Sequence, residues 1–212
     1  MADLLTRSTS SRSRDSRAND MTAALPATPA LVRKLHLGCG AKYIPGFYHV
    51  DIVAGPHIDR SGQVDDLAFL PDGMVELIYA CHVLEHFGRY EVGAVLREWH
   101  RVLRAGGVLR LSVPDFAAVV KMYASEGLGD GMSGLVGLVS GGQRTPYDYH
   151  KMIFDEPLLT TLLRRVGFAA VQPWDWRHTE HAHIDDYSQA YLPHLDKERG
   201  QLMSLNLEAV KG

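Results

Sequence analysis

Cysteine is scarce in this sequence. Cys39 and Cys81 are its only two, and they form no spacing motif. A disulfide framework and a thiolate metal site are therefore excluded, and a reduced, cytoplasmic setting is expected. Charge of one sign is also lacking. The chain carries 22 basic and 25 acidic residues for a formal net charge of −3, so nothing suggests a basic face for nucleic acid or an anionic membrane. No run approaches the roughly 18 apolar residues that span a bilayer. The first residues lack the apolar core of a signal peptide. No internal repeat is found.

What is present suits one domain. The sequence has 212 residues and is 46% hydrophobic, enough for a sizeable core. The stretch from Thr6 to Asp20 is rich in Ser and Arg and poor in large apolar groups. Residues 1–30 are therefore expected to be a disordered tail, and residues 31–212 the folded domain. A transit peptide fits poorly, because Asp3, Asp15 and Asp20 break the acid-poor pattern.

The stretch that organises the rest is Leu35-His36-Leu37-Gly38-Cys39-Gly40, followed by Phe47 to Val50 and Asp51. An apolar run feeds a glycine turn, and a second apolar run ends on an acid. This pattern predicts strand, turn, short helical connection, strand. Gly38 and Gly40 let a ligand approach the backbone without a Cβ in the way. A carboxylate at the second strand tip accepts hydrogen bonds from ribose hydroxyls, the logic of a nucleoside site at the carboxyl edge of a parallel sheet. The third glycine of a dinucleotide fingerprint is missing, with Tyr43 in its place, and Asp51 arrives short of the usual gap of about 20 residues.

Further strands are expected at His57 to Arg60, Val75 to Cys81, Val108 to Val113, Ala169 to Trp174 and Leu202 to Val210. Val92, Val95, Leu96, Trp99, Val102 and Leu103 follow helical spacing, with Gly106-Gly107 as the expected stop. Phe116 to Tyr123 reads as helical, and Gly127 to Gly142 as a short helix or mobile cover. Asp155 reads as an N-cap with Pro157 just inside, leading a stripe of Leu158, Leu159, Leu162, Leu163 and Val166 that Gly167 closes. Strands alternating with helices predict an α/β doubly wound sheet.

Taken in order, these motifs resemble those of the class I S-adenosylmethionine-dependent methyltransferases. The resemblance rests on Leu37 to Gly40, Pro45-Gly46-Phe47, Asp51, Asp65-Asp66-Leu67, His82-Val83-Leu84-Glu85-His86, Leu96 to Gly107, Ser112 to Asp115, and His150 to Phe168. It implies a Rossmann-like seven-stranded sheet with an antiparallel last strand, and S-adenosyl-L-methionine as cofactor. It implies that Gly38, Cys39 and Gly40 line the methionine end and that Asp51, with Ile52 beside it, holds the ribose. Asp65, Asp66 and Leu67 would face the adenine, and Cys81-His82 would pass below the sulfonium. Gln63-Val64 stands where many relatives carry an acid. Relatives of this subgroup often act in sugar or polysaccharide pathways, so a small molecule or glycan is the expected partner.

Methyl transfer to a hydroxyl needs a group that removes a proton near neutral pH. His82, His86 and His150 are the candidates, and Asp115 is a candidate for positioning the acceptor. Each has a plainer alternative: a histidine that packs or caps, or one in a surface loop. Glu85 reads as a first-turn charge at a helix N-terminus. His36 and His49 read as packed strand histidines. No metal ligand is assigned. Two alternatives remain. One is a catalytically inactive cofactor-binding partner subunit. The other is a zinc hydrolase, because His82 to His86 spells H-x-x-E-H, a motif that needs the middle of a helix. His178, His181, His183, Asp185 and Asp186 form a further cluster, read either as a polar loop or as metal ligands. Trp174 and Trp176 read either as sugar-stacking or as packing residues.

Overall fold

The computed structural model describes residues 32–129, 134–194 and 196–212. The expected tail, residues 1–30, and the stretch 130–133 inside the expected glycine-rich cover lie outside the described residues. Seven strands form one sheet: β1 (Lys34–Leu37), β2 (Tyr48–Asp51), β3 (Arg60–Ser61), β4 (Val75–Cys81), β5 (Leu103–Pro114), β6 (Phe168–Pro173) and β9 (Ser204–Lys211). Their order is β3-β2-β1-β4-β5-β9-β6. β1 pairs in parallel with β2 and β4, and β4 with β5, while β9 runs antiparallel to both β5 and β6. This is the α/β sheet with an antiparallel last strand that the motifs implied. A two-stranded ribbon of β7 (Tyr191–Leu192) and β8 (Gln201–Leu202) stands apart from it.

The first face of the sheet is apolar for the reason the helical stripes predict. Helix α1 (Val92–Val102) buries Val92, Val95, Leu96, Trp99 and Val102. Helix α4 (Glu156–Val166) buries Leu159 and Leu163. Both stripes join Leu35, Leu37, Val50, Ile78, Leu109, Leu111 and Leu207 in one core. At about 25 cal/mol per Å² of apolar surface, such burial is the main stabilising term. The α4 ends are as read: the Asp155 side chain accepts from the Leu158 N–H, and Gly167 caps the helix at φ 118. Short helices α2 (Phe116–Glu126) and α3 (Leu135–Ser140) pack against Met203 and Leu192.

Two expectations are corrected. Gly106-Gly107 does not stop α1. Leu103 already turns extended, at φ −66 and ψ 138, and pairs with Val75, so the glycines fall inside β5. They form a bulge there. A Cβ on Gly107 would lie 3.0 Å from the Val75 carbonyl oxygen and 2.8 Å from that of Arg104. No helix connects β1 to β2 either; residues 38–47 cross in turns, with the Lys42 N–H donating to the Cys39 carbonyl at 2.9 Å.

The second face is polar and aromatic. Ile44, Phe47, Leu77 and Tyr79 pack there beneath Trp174 and Ile184. His36 and His49 are buried beside them, as read. The cover is the irregular segment after β6, tied down by polar anchors. Tyr79 Oη donates to Asp186 at 2.6 Å, the Trp174 indole donates to the Leu111 carbonyl at 3.1 Å, and Asn206 donates to the Ser188 carbonyl at 3.0 Å. Trp174 is therefore a packing residue. His181 lies buried on Tyr79, with ring centroids 4.3 Å apart.

Burial, aided by the nearby imidazoles of His49, His181 and His57, lowers the His36 pKa to about 3. Burial lowers those of His49 and His181 as well. The unfolded chain protonates near the ordinary 6.5 while folded His36 stays neutral. Stability is therefore full above that pH and falls below it, by about 1.4 kcal/mol per pH unit for this one group. Urea denaturation at neutral pH and at about pH 5 should show the loss, and His36→Leu should shrink it; an unchanged difference would assign the acid sensitivity elsewhere.

Candidate functional site

Parallel pairing puts the ends of β1, β2, β4 and β5 on one edge of the sheet, and the predicted site residues gather there. The chain leaves β1 through Gly38 and Gly40, at φ 60 and 52, a region that glycine enters without strain. A Cβ on Gly38 would lie 2.5 Å from Val83 Cγ2, so the turn after β1 sits directly on the turn after β4. Around Gly40 nothing lies within 4 Å of a Cβ position. That turn has open space over its backbone.

Asp51 closes the cradle at the β2 tip. One carboxylate oxygen accepts from the Gly40 N–H at 2.8 Å and the other from the Val53 N–H at 2.9 Å. A carboxylate offers about four acceptor positions, so two remain for a ligand's hydroxyls. Ile52 follows, half-buried. Cys39 is buried, and burial together with the Asp51 charge pushes its thiol up to about 12, which keeps it a neutral wall. Farther along the edge, Gln63, Asp65 and Asp66 are exposed. Leu67 is not: its side chain lies in the core and its N–H donates to Glu98 at 2.9 Å. Of the turn expected to face the adenine, the polar groups and not Leu67 are exposed.

The turn after β4 carries two of the candidate histidines, His82 and His86. His82 adopts φ 54, unusual for a residue with a Cβ, and residues Leu84–His86 form one 3-10 turn. Leu84 points into the core. Glu85 is fully buried and its two carboxylate oxygens have no hydrogen-bond partner. It lies in the first turn, as read, but buried and without a donor. Its backbone carbonyl accepts from the Lys151 and Met152 N–H groups, at 2.8 and 3.2 Å, which brings His150 over the turn. His82 Nδ1 stands 3.3 Å and His150 Nε2 3.9 Å from Glu85 Oε1. The His86 and His150 rings meet edge to face, with centroids 4.9 Å apart.

The hydrogen bonds fix where the imidazole protons lie. His86 Nδ1 donates to the Tyr149 carbonyl at 3.1 Å, and His150 Nδ1 to the Leu138 carbonyl at 3.0 Å. The Ser204 hydroxyl gives its single proton to the Tyr187 carbonyl, so His82 Nε2 must donate to Ser204 Oγ, at 2.8 Å. Each ring thus keeps one lone pair, on His86 Nε2, His150 Nε2 and His82 Nδ1. Burial, with the neighbouring imidazoles, lowers the His82 pKa to about 3, and burial raises that of Glu85 to about 8. The pair is therefore not a salt bridge despite its spacing.

Other predicted residues fall elsewhere. Asp115 ends β5 at the same edge but caps α2, its side chain accepting from the Ala117 N–H at 2.9 Å. The zinc-hydrolase reading loses its helix: the motif straddles a strand end and a single 3-10 turn. The His178–Asp186 cluster does not assemble. Among the described residues, the group with metal-ligand spacing is Glu85, His86 and His150.

Residues 48–111 match the family model described as "Methyltransferase domain". No curated protein matches the sequence. Among solved structures, an S-adenosylmethionine-dependent methyltransferase from Archaeoglobus fulgidus is 15% identical, with a TM-score of 0.53 over 86% of this chain and 89% of that one. A second, from Thermotoga maritima, is 15% identical, with a TM-score of 0.52 over 85% and 82%. The Burkholderia thailandensis 1,6-didemethyltoxoflavin-N1-methyltransferase, solved with 1,6-didemethyltoxoflavin and S-adenosylhomocysteine, is 16% identical, with a TM-score of 0.50 over 84% and 70%. At these identities the likeness is one of fold. Among the described residues no helix is long and apolar enough to cross a membrane.

The two glycines should respond differently to a methyl group. Both substitutions to alanine strain a positive φ, by about 1–2 kcal/mol. Gly38→Ala adds overpacking against Val83, about 1–3 kcal/mol more. Thermal melts should show the lower Tm for Gly38→Ala; equal shifts would mean that the contact with Val83 is loose.

Proposed function

We infer that this chain, a class I S-adenosylmethionine-dependent methyltransferase by its fold and by the domain match over residues 48–111, methylates a hydroxyl of a small polar molecule or sugar precursor. The observation that carries the reading is a juxtaposition on one sheet edge. The open Gly40 turn with Asp51 lies on the same edge as a cluster in which His86 and His150 each keep a bare Nε2 beside buried Glu85.

S-adenosylmethionine, when bound, supplies an electrophilic methyl group on a sulfonium. Gly38, Cys39 and Gly40 would line its amino-acid side, where a Cβ on Gly40 would take up the open space. The free acceptor positions of Asp51 would take ribose hydroxyls, with Ile52 alongside. Asp65 and Asp66, beside Gln63, are the polar groups at the adenine side. The protein's task is then alignment and removal of one proton.

A hydroxyl must lose its proton to become a competent nucleophile, and the Glu85–His86–His150 group suits that need. Its imidazoles are held with Nδ1 protonated and Nε2 bare. A bare Nε2 can accept the hydroxyl proton as the methyl group transfers. His82 is pinned below by Ser204 and acts as a positioning residue behind Glu85. The sugar preference follows the motif resemblance, and the hydroxyl preference follows the chemistry of the cluster.

Two measurements test this reading. Isothermal titration should show S-adenosylmethionine binding that Asp51→Ala weakens by at least about tenfold, since hydrogen bonds to a charged group contribute about 1.5–3 kcal/mol each. Absence of binding to the parent chain removes the proposal. With a responsive acceptor found by screening sugars and small alcohols with labelled cofactor, His86→Ala and His150→Ala should each lower kcat by about 10²–10⁴ while cofactor affinity holds. Turnover that survives both changes would leave the cluster without a catalytic part.

A further inference from the structure

We propose that Glu85, His86 and His150 form a divalent transition-metal site whose remaining coordination positions face the methyl acceptor. One ligand atom from each lies within 4.8 Å of the others. Metal–ligand bonds of about 2.0–2.2 Å put neighbouring ligand atoms about 3–3.5 Å apart, so small side-chain rotations close the set.

Three observations point to a cation there. The first is the Glu85 carboxylate, 0% exposed and without a single hydrogen-bond partner. A buried carboxylate without a donor is expensive, and either a proton or a cation must satisfy it. The second is the tautomer pattern. His86 and His150 both spend Nδ1–H on a backbone carbonyl, of Tyr149 and Leu138, leaving Nε2 bare. Histidines that ligate metals are held this way, the second nitrogen donating to a carbonyl or carboxylate so that the first faces the ion. The third is the direction of the lone pairs. His150 Nε2 lies 3.9 Å from Glu85 Oε1, and His82 Nδ1, its own proton turned toward Ser204, stands 3.3 Å from the same oxygen. Two bare imidazole nitrogens converge on one carboxyl oxygen, and a single proton on Glu85 can serve only one of them, whereas an ion can take lone pairs from both sides.

The donor set is two imidazoles and one carboxylate. The two imidazoles favour Zn²⁺, Fe²⁺ or Co²⁺, of borderline softness, over Mg²⁺ or Ca²⁺, the carboxylate also admits the harder Mn²⁺, and three ligands leave positions open. Such an ion would lower the cost of ionising a hydroxyl placed against it. The O–H bond breaks, the electron pair stays on oxygen and the proton passes to solvent, because with the ion bound the Nε2 lone pairs of His86 and His150 are spent on it and no longer act as the base. This use of the ion rests on the methyltransferase reading; the binding itself does not.

The test uses the full chain, stripped with chelator, with no cofactor or acceptor present. Zn²⁺, Mn²⁺ and Co²⁺ are titrated separately by calorimetry, with the visible spectrum followed for Co²⁺. One ion per chain is expected for at least one of the three, weakened at least about tenfold by each of His86→Ala, His150→Ala and Glu85→Gln. His178→Ala and His183→Ala, exposed positions away from the site, should leave binding unchanged. If Glu85→Gln fails to fold, judged by circular dichroism, the two histidine variants decide alone. Absence of binding by all three ions, or binding that persists in the His86→Ala/His150→Ala double variant, overturns the proposal. Because S-adenosylmethionine titration is independent of this experiment, either reading can fail while the other stands.

Discussion

The contact on which the site depends is made by an atom that is not there. Gly38 has no Cβ, and Val83 occupies the place where one would be. This lets the turn after β1 and the turn after β4 touch, although their strands are only hydrogen-bonded neighbours below. The first turn carries the cradle with Asp51. The second carries Glu85 and leads to His86. A wider separation would leave a donor group and an acceptor group each bound but out of reach of the other, and alignment is most of what a methyl-transfer site supplies.

The two faces of the sheet are built on different principles. The first is an apolar sandwich with α1 and α4. The second stacks His36, His49, Tyr79 and His181 and closes them under an irregular segment held by side-chain-to-backbone hydrogen bonds. His181 has neither ring nitrogen hydrogen-bonded, and His36 has an unpartnered Nδ1. Such groups are tolerated only while neutral, so this face keeps its packing at the expense of acid tolerance. The site lies at the edge where both faces end and draws on each: Leu84 anchors it in the apolar core, and Ser204 and Tyr187 hold His82 from the polar side.

Much of this was legible in the amino-acid order, for identifiable reasons. β4 was readable to its ends because a strand buried on both sides is nearly continuous in apolar residues, Glu76 alone interrupting it. The α4 caps were readable because Asp, Pro and Gly act locally. The glycine pair after α1 misled because periodicity cannot see that Leu103 has already paired with Val75. The missing β1–β2 helix and the two-residue strands β7 and β8 left too few residues to set a period. At the site, His86 and His150 were named as separate candidates, but their union with Glu85 was hidden. It depends on backbone bonds from Lys151 and Met152 to Glu85, residues far apart in the chain. The one local signal was the H-x-x-E-H spelling, which pairs His86 with His82, whereas the fold sets His86 against His150.

The place of β9 has a consequence for how the molecule comes into being. This strand follows β5 and β6 in the chain yet lies between them, pairing with both, and Lys211 at its end donates to the His100 and Leu103 carbonyls where α1 stops, at 2.7 Å each. During synthesis on the ribosome, β5 and β6 must wait side by side with a vacant slot until the segment that fills it has emerged. Until then their edges are unpaired and open to other chains. Losing part of β9 would therefore cut β6 off from the other five strands rather than shorten an edge.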